Sequence, residues 1–216
     1  MIMGYLDRVD AGYALARKIN EMGEKGDLVL GVARGGLIVA REVSEALSAQ
    51  LDVIVPRKIG APYEPELAIG AISLWGDATV IDSILARMVG ATEEFINNEI
   101  IAQRQESQRR LLIYRGTVEP PDFCGRDVIL VDDGIATGHT LQAAVEGLRN
   151  LEAGKIVIAV PVGAPDAVER LSDIADRVVC PLQPSAFFAV GSWYQKFPQV
   201  TDEEVVETLR GYRGKV

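Results

Sequence analysis

Asp132 and Asp133 are adjacent acids at the end of a four-residue apolar run, Val128–Val131. Gly134-Ile135-Ala136-Thr137-Gly138-His139-Thr140 follows them, and an apolar-periodic stretch then runs from Leu141 to Leu151. The apolar run reads as a buried strand and the periodic stretch as a helix. Acids, hydroxyls and bare amides therefore lie between a strand's carboxyl end and a helix's amino end. A helix N-terminus carries unpaired N–H groups and partial positive charge, which suits a phosphate. Gly134 and Gly138 let the backbone wrap closely around an anion, and Thr137 and Thr140 add hydroxyl donors. Asp132 and Asp133 would repel that phosphate, so they serve another part of the ligand. Vicinal sugar hydroxyls or a hydrated divalent cation fit them best. A Walker A loop is excluded, because Gly134 and Gly138 enclose three residues and no Lys-Ser/Thr follows. A Gly-x-Gly-x-x-Gly dinucleotide fingerprint is absent as well.

The elements that position this segment read as strand–helix–strand alternation. Tyr5–Met22 has helical spacing at Ala14, Leu15 and Ile19. Asp27–Val32 reads as a buried strand, Leu37–Leu47 as a helix and Leu51–Val55 as a second strand. That order implies a parallel sheet with right-handed crossovers. The stretch from Lys58 to Asp82 reads as a loop plus a hairpin or edge strands, with β-like runs at Leu67–Leu74 and Ala78–Ile81. Thr92 is a candidate N-cap with Glu93 and Glu94 in the first turn, opening a long polar helix to about Tyr114. Past the motif, Lys155–Pro161 is a strand, Pro165–Ile174 a helix and Arg177–Cys180 a short strand. Phe187–Phe197 is aromatic-rich and irregular, and Thr201 with Glu204 forms a capping box for a last helix.

Four further groups carry chemistry. Val32-Ala33-Arg34-Gly35-Gly36 ends the first strand, so it shares a sheet edge with the Asp pair. A guanidinium beside two glycines can hold an anion, although a plain turn with a surface arginine has the same sequence. Arg57-Lys58 follows the second strand on that edge. Arg104, Arg109, Arg110 and Arg115 do not share one helix face and read as a solvated surface paired with Glu99 and Glu106, the alternative being that one closes over an anion. His139, the sole histidine, either adds a donor to a phosphate or points outward.

Residues 128–140 resemble the phosphoribosyl-pyrophosphate (PRPP) motif of type I phosphoribosyltransferases: four apolar residues, two acids, and a small-residue loop with Thr-Gly near its end. The resemblance implies an α/β fold with a Rossmann-like open parallel sheet, a long inserted helical segment and a small hood near the C-terminal edge. It implies one domain over residues 1–216, with a lid or insertion at about 59–118 and the hood at about 182–200. The 5-phosphate falls to Gly134, Ile135, Ala136, Thr137, Gly138, His139 and Thr140. Asp132 and Asp133 take the ribose hydroxyls and Mg²⁺, directly or through water. Arg34, Gly35, Gly36, Arg57 and Lys58 take the pyrophosphate, the loop at 34 often carrying a non-proline cis peptide in the family. Phe188-Ala189-Val190-Gly191 is similar to the base-contacting segment of 6-oxopurine members, so Phe188, Val190 and Trp193 become candidates for the base, with core or dimer packing as the alternative.

The chain departs from the 6-oxopurine pattern at two places. Ala136 stands where those members carry an acid for the base's ring nitrogen, and Gln195 where an acid near the leaving pyrophosphate is usual. The implied activity is transfer of a phosphoribosyl group to a nitrogenous, nucleobase-like acceptor. The alternatives are a regulatory PRPP-binding protein and a phosphosugar-processing variant on the same scaffold. Homodimers are common in the family.

With 216 residues, the chain is long enough for a substantial α/β core. The net charge of −9 argues against general nucleic-acid binding, and it requires any anionic ligand to be held by a local cationic cluster. No apolar run reaches membrane-spanning length, and Met1–Asp10 lacks a signal-peptide pattern. Two cysteines are too few for a disulfide framework, so a reducing cytoplasm is the expectation.

Overall fold

In the computed structural model, which describes residues 4–213, five short apolar runs form one parallel sheet. The elements in chain order are α1 (Arg8–Glu21), β1 (Leu28–Val32), α2 (Gly35–Leu47), β2 (Gln50–Ile54), β3 (Arg57–Ala61), β4 (Glu64–Ser73) and β5 (Ala78–Ile81). Then come α3 (Ser83–Met88), α4 (Glu93–Arg115), β6 (Val128–Val131), α5 (His139–Asn150), β7 (Ile156–Ala159), α6 (Pro165–Ser172), β8 (Arg177–Val179) and α7 (Asp202–Arg213). The parallel sheet runs β2-β1-β6-β7-β8, with Leu30 opposite Leu130 and Leu130 opposite Ile158. Every residue of β1, β6 and β7 is buried, as near-continuous Val/Ile/Leu strands covered on both faces must be. Full burial of such a side chain stabilises by roughly 1.5–3 kcal/mol, which makes these strands a rigid base for the loops at their ends.

Helix α2 packs against α1 and α7, while α5 packs against β4 and β5. Strands β3, β4 and β5 form a second, antiparallel sheet. Its apolar face is Ile59, Ile69 and Ile72, packed on Ala86 of α3 and on Phe95, Ile96 and Ile100 of α4.

Several sequence expectations shift here. Helix α1 begins at Arg8 rather than Tyr5, because the Asp7 carboxylate caps it by accepting from the Val9 and Asp10 amides, each at 3.0 Å. Tyr5 and Leu6 instead bond along the C-terminal segment: Tyr5 N–H donates to Trp193 O, and Lys196 N–H donates to Leu6 O. Arg57-Lys58 is the start of β3 rather than a loop after β2. Helix α3, capped by Asp82, has no counterpart in the sequence reading. The Thr92 cap and the reciprocal Thr201–Glu204 box both form. Among the described residues no helix is long and apolar enough to cross a membrane.

Candidate functional site

The strand order reverses direction between β1 and β6. From β1 the chain crosses to β2 on one side, and from β6 it crosses to β7 on the other. At such a switch point the connecting loops separate and leave a crevice beyond the carboxyl ends of the two strands. Arg34-Gly35 follows β1 and Asp132-Asp133 follows β6, so both line this crevice. Pro56, Arg57 and Lys58 close it on the β2 side, and β4 with α4 supplies a far wall. The cavity is about 790 Å³, ample for a phosphosugar and a planar acceptor together.

The two acids are half-buried at the floor of the crevice. Asp132 Oδ1 accepts from the Asp133 amide at 2.8 Å. Burial first, and then the neighbouring Asp133, push the Asp132 carboxyl well above the usual carboxylate range. Burial also raises Asp133, against the pull of the Arg8 guanidinium, whose Nε donates to Asp133 Oδ2 at 2.8 Å. Two half-buried carboxylates side by side resist joint ionisation, and a nearby cation relieves that. Among the described residues no cluster of three or more His, Cys, Asp or Glu side chains could hold a metal. A cation here would draw on two carboxylates and complete its shell with water and ligand oxygens, which is the habit of Mg²⁺.

Beyond the acids the loop is open for an anion. Gly138 adopts φ +83° and caps α5, turning the chain so that the helix begins at His139. The amide N–H groups of Ala136, Thr137, Gly138, His139 and Thr140 find no acceptor among the described residues. Ile135 departs from the expectation that its amide faces the phosphate, because its N–H donates to Val162 O at 2.9 Å. His139 lies outside the crevice lining, and its Nδ1 is buried without a partner. Burial holds its imidazole below the ordinary value, with Asp82 opposing.

On the β1 side the Ala33–Arg34 peptide is cis. Arg34 Nη1 is 3.7 Å from Asp202 Oδ1, at the start of α7. Gly35 lines the crevice, but Gly36 lies behind it: a Cβ there would sit 2.8 Å from Asp132 Cα. Gly36 is thus a close-packing residue under the acids rather than an anion contact. Arg57 donates from Nε to Gln103 Oε1 at 3.0 Å, and burial lowers its pKa. It remains a cation at neutral pH.

The hood expectation divides. Val190 lines the crevice and packs on Gly134, where a Cβ would come within 2.5 Å of its Cγ1. Phe188 is 92% exposed and outside the crevice. Trp193 is also outside, packed with Tyr5, Tyr194 and Phe197 in a cluster between the N-terminal lead-in and the C-terminal segment. Of the two aromatics that the sequence offered to a base, Trp193 packs into this cluster and Phe188 stands in solvent, so neither lines the crevice. None of Arg104, Arg109, Arg110 and Arg115 reaches the crevice. Arg109 and Arg110 pair with Glu106, Arg104 with Asp77, and Arg115 is buried against Asp52 with its guanidinium over Trp75. Glu99 pairs with none of them and accepts from Gln103 instead.

Sequence reasoning missed Arg8, Phe95, Gln103 and Asp202. Phe95, Glu99 and Gln103 share one face of α4 at four-residue spacing, so their co-location was readable once α4 was placed beside β3. Arg8 and Asp202 carried no local signal beyond their positions in helix first turns.

Comparisons with known proteins give the chain's family. The chain is 42% identical over 205 residues, 94% of its length, to a Mycobacterium tuberculosis (strain H37Rv) protein named "Putative phosphoribosyl transferase Rv0571c". It spans 46% of that relative's length, so about half of the curated relative lies outside the match. A ribose-phosphate pyrophosphokinase of Pyrococcus furiosus is 44% identical over 59 residues, 26% of this chain and 21% of that enzyme. The crystal structure of TT1426 from Thermus thermophilus superposes with a TM-score of 0.80 at 40% identity, covering 97% of this chain and 99% of that one. The phosphoribosyl transferase domain family matches residues 5–195, and the chain belongs to that family.

Proposed function

We propose that this chain binds PRPP with Mg²⁺ and transfers its phosphoribosyl group to a nitrogenous acceptor, releasing pyrophosphate. The observation that carries the reading is the convergence on one crevice of unpaired amides, two acids and basic groups. PRPP has a matching handle for each of them. The amides of 136–140 receive the 5-phosphate. Asp132 and Asp133 receive the ribose hydroxyls. Arg34, Arg57 and Lys58 face the pyrophosphate and offset its charge as it leaves. Mg²⁺, when bound, would add charge neutralisation at the pyrophosphate.

As the bond from the ribose carbon to pyrophosphate breaks, positive charge develops on the sugar. The paired carboxylates favour that charge, and the positioned acceptor nitrogen then bonds to the carbon, its N–H proton passing to water or to the departing pyrophosphate. Catalysis is positioning and electrostatics, without a covalent enzyme nucleophile. Glu66 of β4 and Phe95, Glu99 and Gln103 of α4 line the far wall, where a flat N–H-donating acceptor finds one aromatic face and several acceptor oxygens.

Ala136 favours a second reading, PRPP binding without efficient transfer, because it leaves the loop without an acid for the acceptor's proton. Calorimetric titration with PRPP, with and without Mg²⁺, tests the site. A pyrophosphate-release screen over purines, pyrimidines and simple amines then separates the two readings. Absence of PRPP binding under both conditions refutes both.

A further inference from the structure

The two acids of the motif are held differently. Asp133 is tied at both ends by residues far away in sequence. Its Oδ2 accepts from Arg8 Nε at 2.8 Å, and its carbonyl oxygen accepts from the Tyr194 hydroxyl at 2.6 Å. Arg8 is itself fixed: it is 8% exposed, its Nη1 donates to Pro198 O at 2.7 Å, and its guanidinium carbon lies 3.8 Å from the centre of the Phe197 ring. Phe197 in turn stacks on Tyr194 at 4.8 Å between ring centres. Arg8 and Tyr194 thus reach Asp133 from α1 and from the C-terminal segment, and those two segments are joined by the backbone bonds of Tyr5 and Leu6. Gly35 passes directly over the pair: a Cβ there would lie 2.0 Å from Asp133 Oδ2 and 2.7 Å from Arg8 Nε.

Asp132 has no comparable support. Its Oδ1 accepts from the neighbouring amide, and no described residue hydrogen-bonds to its Oδ2. A carboxylate with one oxygen fixed by a buried guanidinium presents its other oxygen in one orientation. A ligand hydroxyl then meets a preset acceptor instead of ordering one on binding. The same guanidinium offsets one of two adjacent negative charges without lining the crevice itself.

We infer that Arg8 is a positioning residue for the ribose end of the ligand, acting through Asp133 and not through Asp132. This rests on the proposed PRPP reading. It differs from a general stabilising role in one respect: the effect of Arg8 belongs to the sugar, not to the pyrophosphate.

A double-mutant cycle read by calorimetry tests it, with PRPP·Mg²⁺, ribose 5-phosphate and pyrophosphate titrated separately. Arg8→Ala should weaken ribose 5-phosphate on the order of tenfold, the size expected when a hydrogen bond between charged groups is lost. Pyrophosphate affinity should change by less than about twofold, since Arg8 does not reach that part of the crevice. In the Asp133→Asn background Arg8→Ala should cost little more, whereas in the Asp132→Asn background the full loss should persist. Thermal unfolding and circular dichroism check that each variant is folded. Should Arg8→Ala fail to fold, Arg8→Lys serves, since it keeps the charge but cannot reach Asp133 and Pro198 with a planar fork. Equal losses for both ligands, or a loss that adds in full to that of Asp133→Asn, overturn the inference and leave the PRPP reading standing. Wild-type chain that fails to bind PRPP overturns both.

Discussion

Gly36→Ala is a sharp test of how the acids are placed. Gly36 lies in the first turn of α2, against the end of β6. A methyl group there would sit 2.8 Å from Asp132 Cα, from its Oδ1 and from Val131 O. Two of these three are backbone atoms, at the end of a strand whose residues are all buried, so they cannot yield as a flexible side chain would. Helix and strand must separate by roughly half an ångström to restore ordinary contact. Overpacking of this kind costs about 1–3 kcal/mol, partly offset by the ~0.5–1 kcal/mol by which alanine is preferred to glycine in a helix. A net loss of about 1–2 kcal/mol lowers Tm by roughly 2–8 °C for a chain of this size. The same displacement moves Asp132 relative to the ribose position proposed above, and errors of that size cost on the order of 10²-fold where groups must be aligned. Gly116→Ala is the control. Gly116 ends α4 at φ +76° with nothing within 4 Å of a Cβ, so it incurs only the left-handed backbone cost of about 1–2 kcal/mol. Both variants should melt earlier in a thermal scan, and Gly36→Ala alone should lose ribose 5-phosphate affinity by calorimetry. If Gly36→Ala binds as the control does, close approach at this position does not place Asp132.

Three further outcomes are expected. Arg34→Ala should weaken pyrophosphate more than ribose 5-phosphate in calorimetric titration, and equal losses would remove Arg34 from the pyrophosphate end. His139, the single histidine, should give one NMR titration below the ordinary imidazole range in the ligand-free chain. Its folded-state pKa lies below the unfolded one, so as the pH falls the unfolded chain takes up the proton first. His139 therefore subtracts stability from about pH 6.5 downward and costs nothing above that; a midpoint above the ordinary range would contradict the burial argument. Cys180, whose thiol burial pushes up to about 12, should resist alkylation at pH 8 while exposed Cys124 reacts, as read by mass spectrometry. Equal labelling of the two in the folded chain would show that Cys180 is not shielded.

The parallel sheet was legible because each of its core strands is a short apolar run bounded by turn residues. Val128–Val131 and Lys155–Pro161 needed no distant information, and their ends moved by at most two residues. The second sheet was harder to read. Arg57–Ala61 carries two charges and a glycine, and it is a strand because ten-residue β4 lies beside it, a non-local cause that no window of sequence contains. Helix α4 was found from its cap, but its role was hidden. Only Ser107, Leu111 and Tyr114 along it are buried, so it read as a solvated surface, and its crevice wall of Phe95, Glu99 and Gln103 looked like ordinary polar helix.

The site divides along the same line, and the division has a physical cause. Groups proposed to meet the ligand sit in contiguous loops at two strand ends, because a switch-point crevice collects whatever follows those strands. A motif can therefore hold Arg34, Asp132, Asp133 and the open amides together at short range. The groups that aim them come from α1, α4 and α7, across separations of 125 residues for Arg8 to Asp133 and 46 for Arg57 to Gln103. Asp202 shows how such a residue escapes notice. It sits within the capping box of α7, where an acid is already explained by the helix dipole, yet it also accepts from Tyr114 at 2.6 Å and lies beside Arg34. The aromatics near the C-terminus failed in the opposite direction. Tyr194 and Phe197, within the aromatic-rich stretch that supplied the base candidates, pack on one another; the Phe197 ring lies against Arg8, and the Tyr194 hydroxyl donates to the Asp133 carbonyl. An aromatic cluster beside a binding motif is thus better read first as the clamp for a buried charge, and as a ligand platform only where its rings face the crevice.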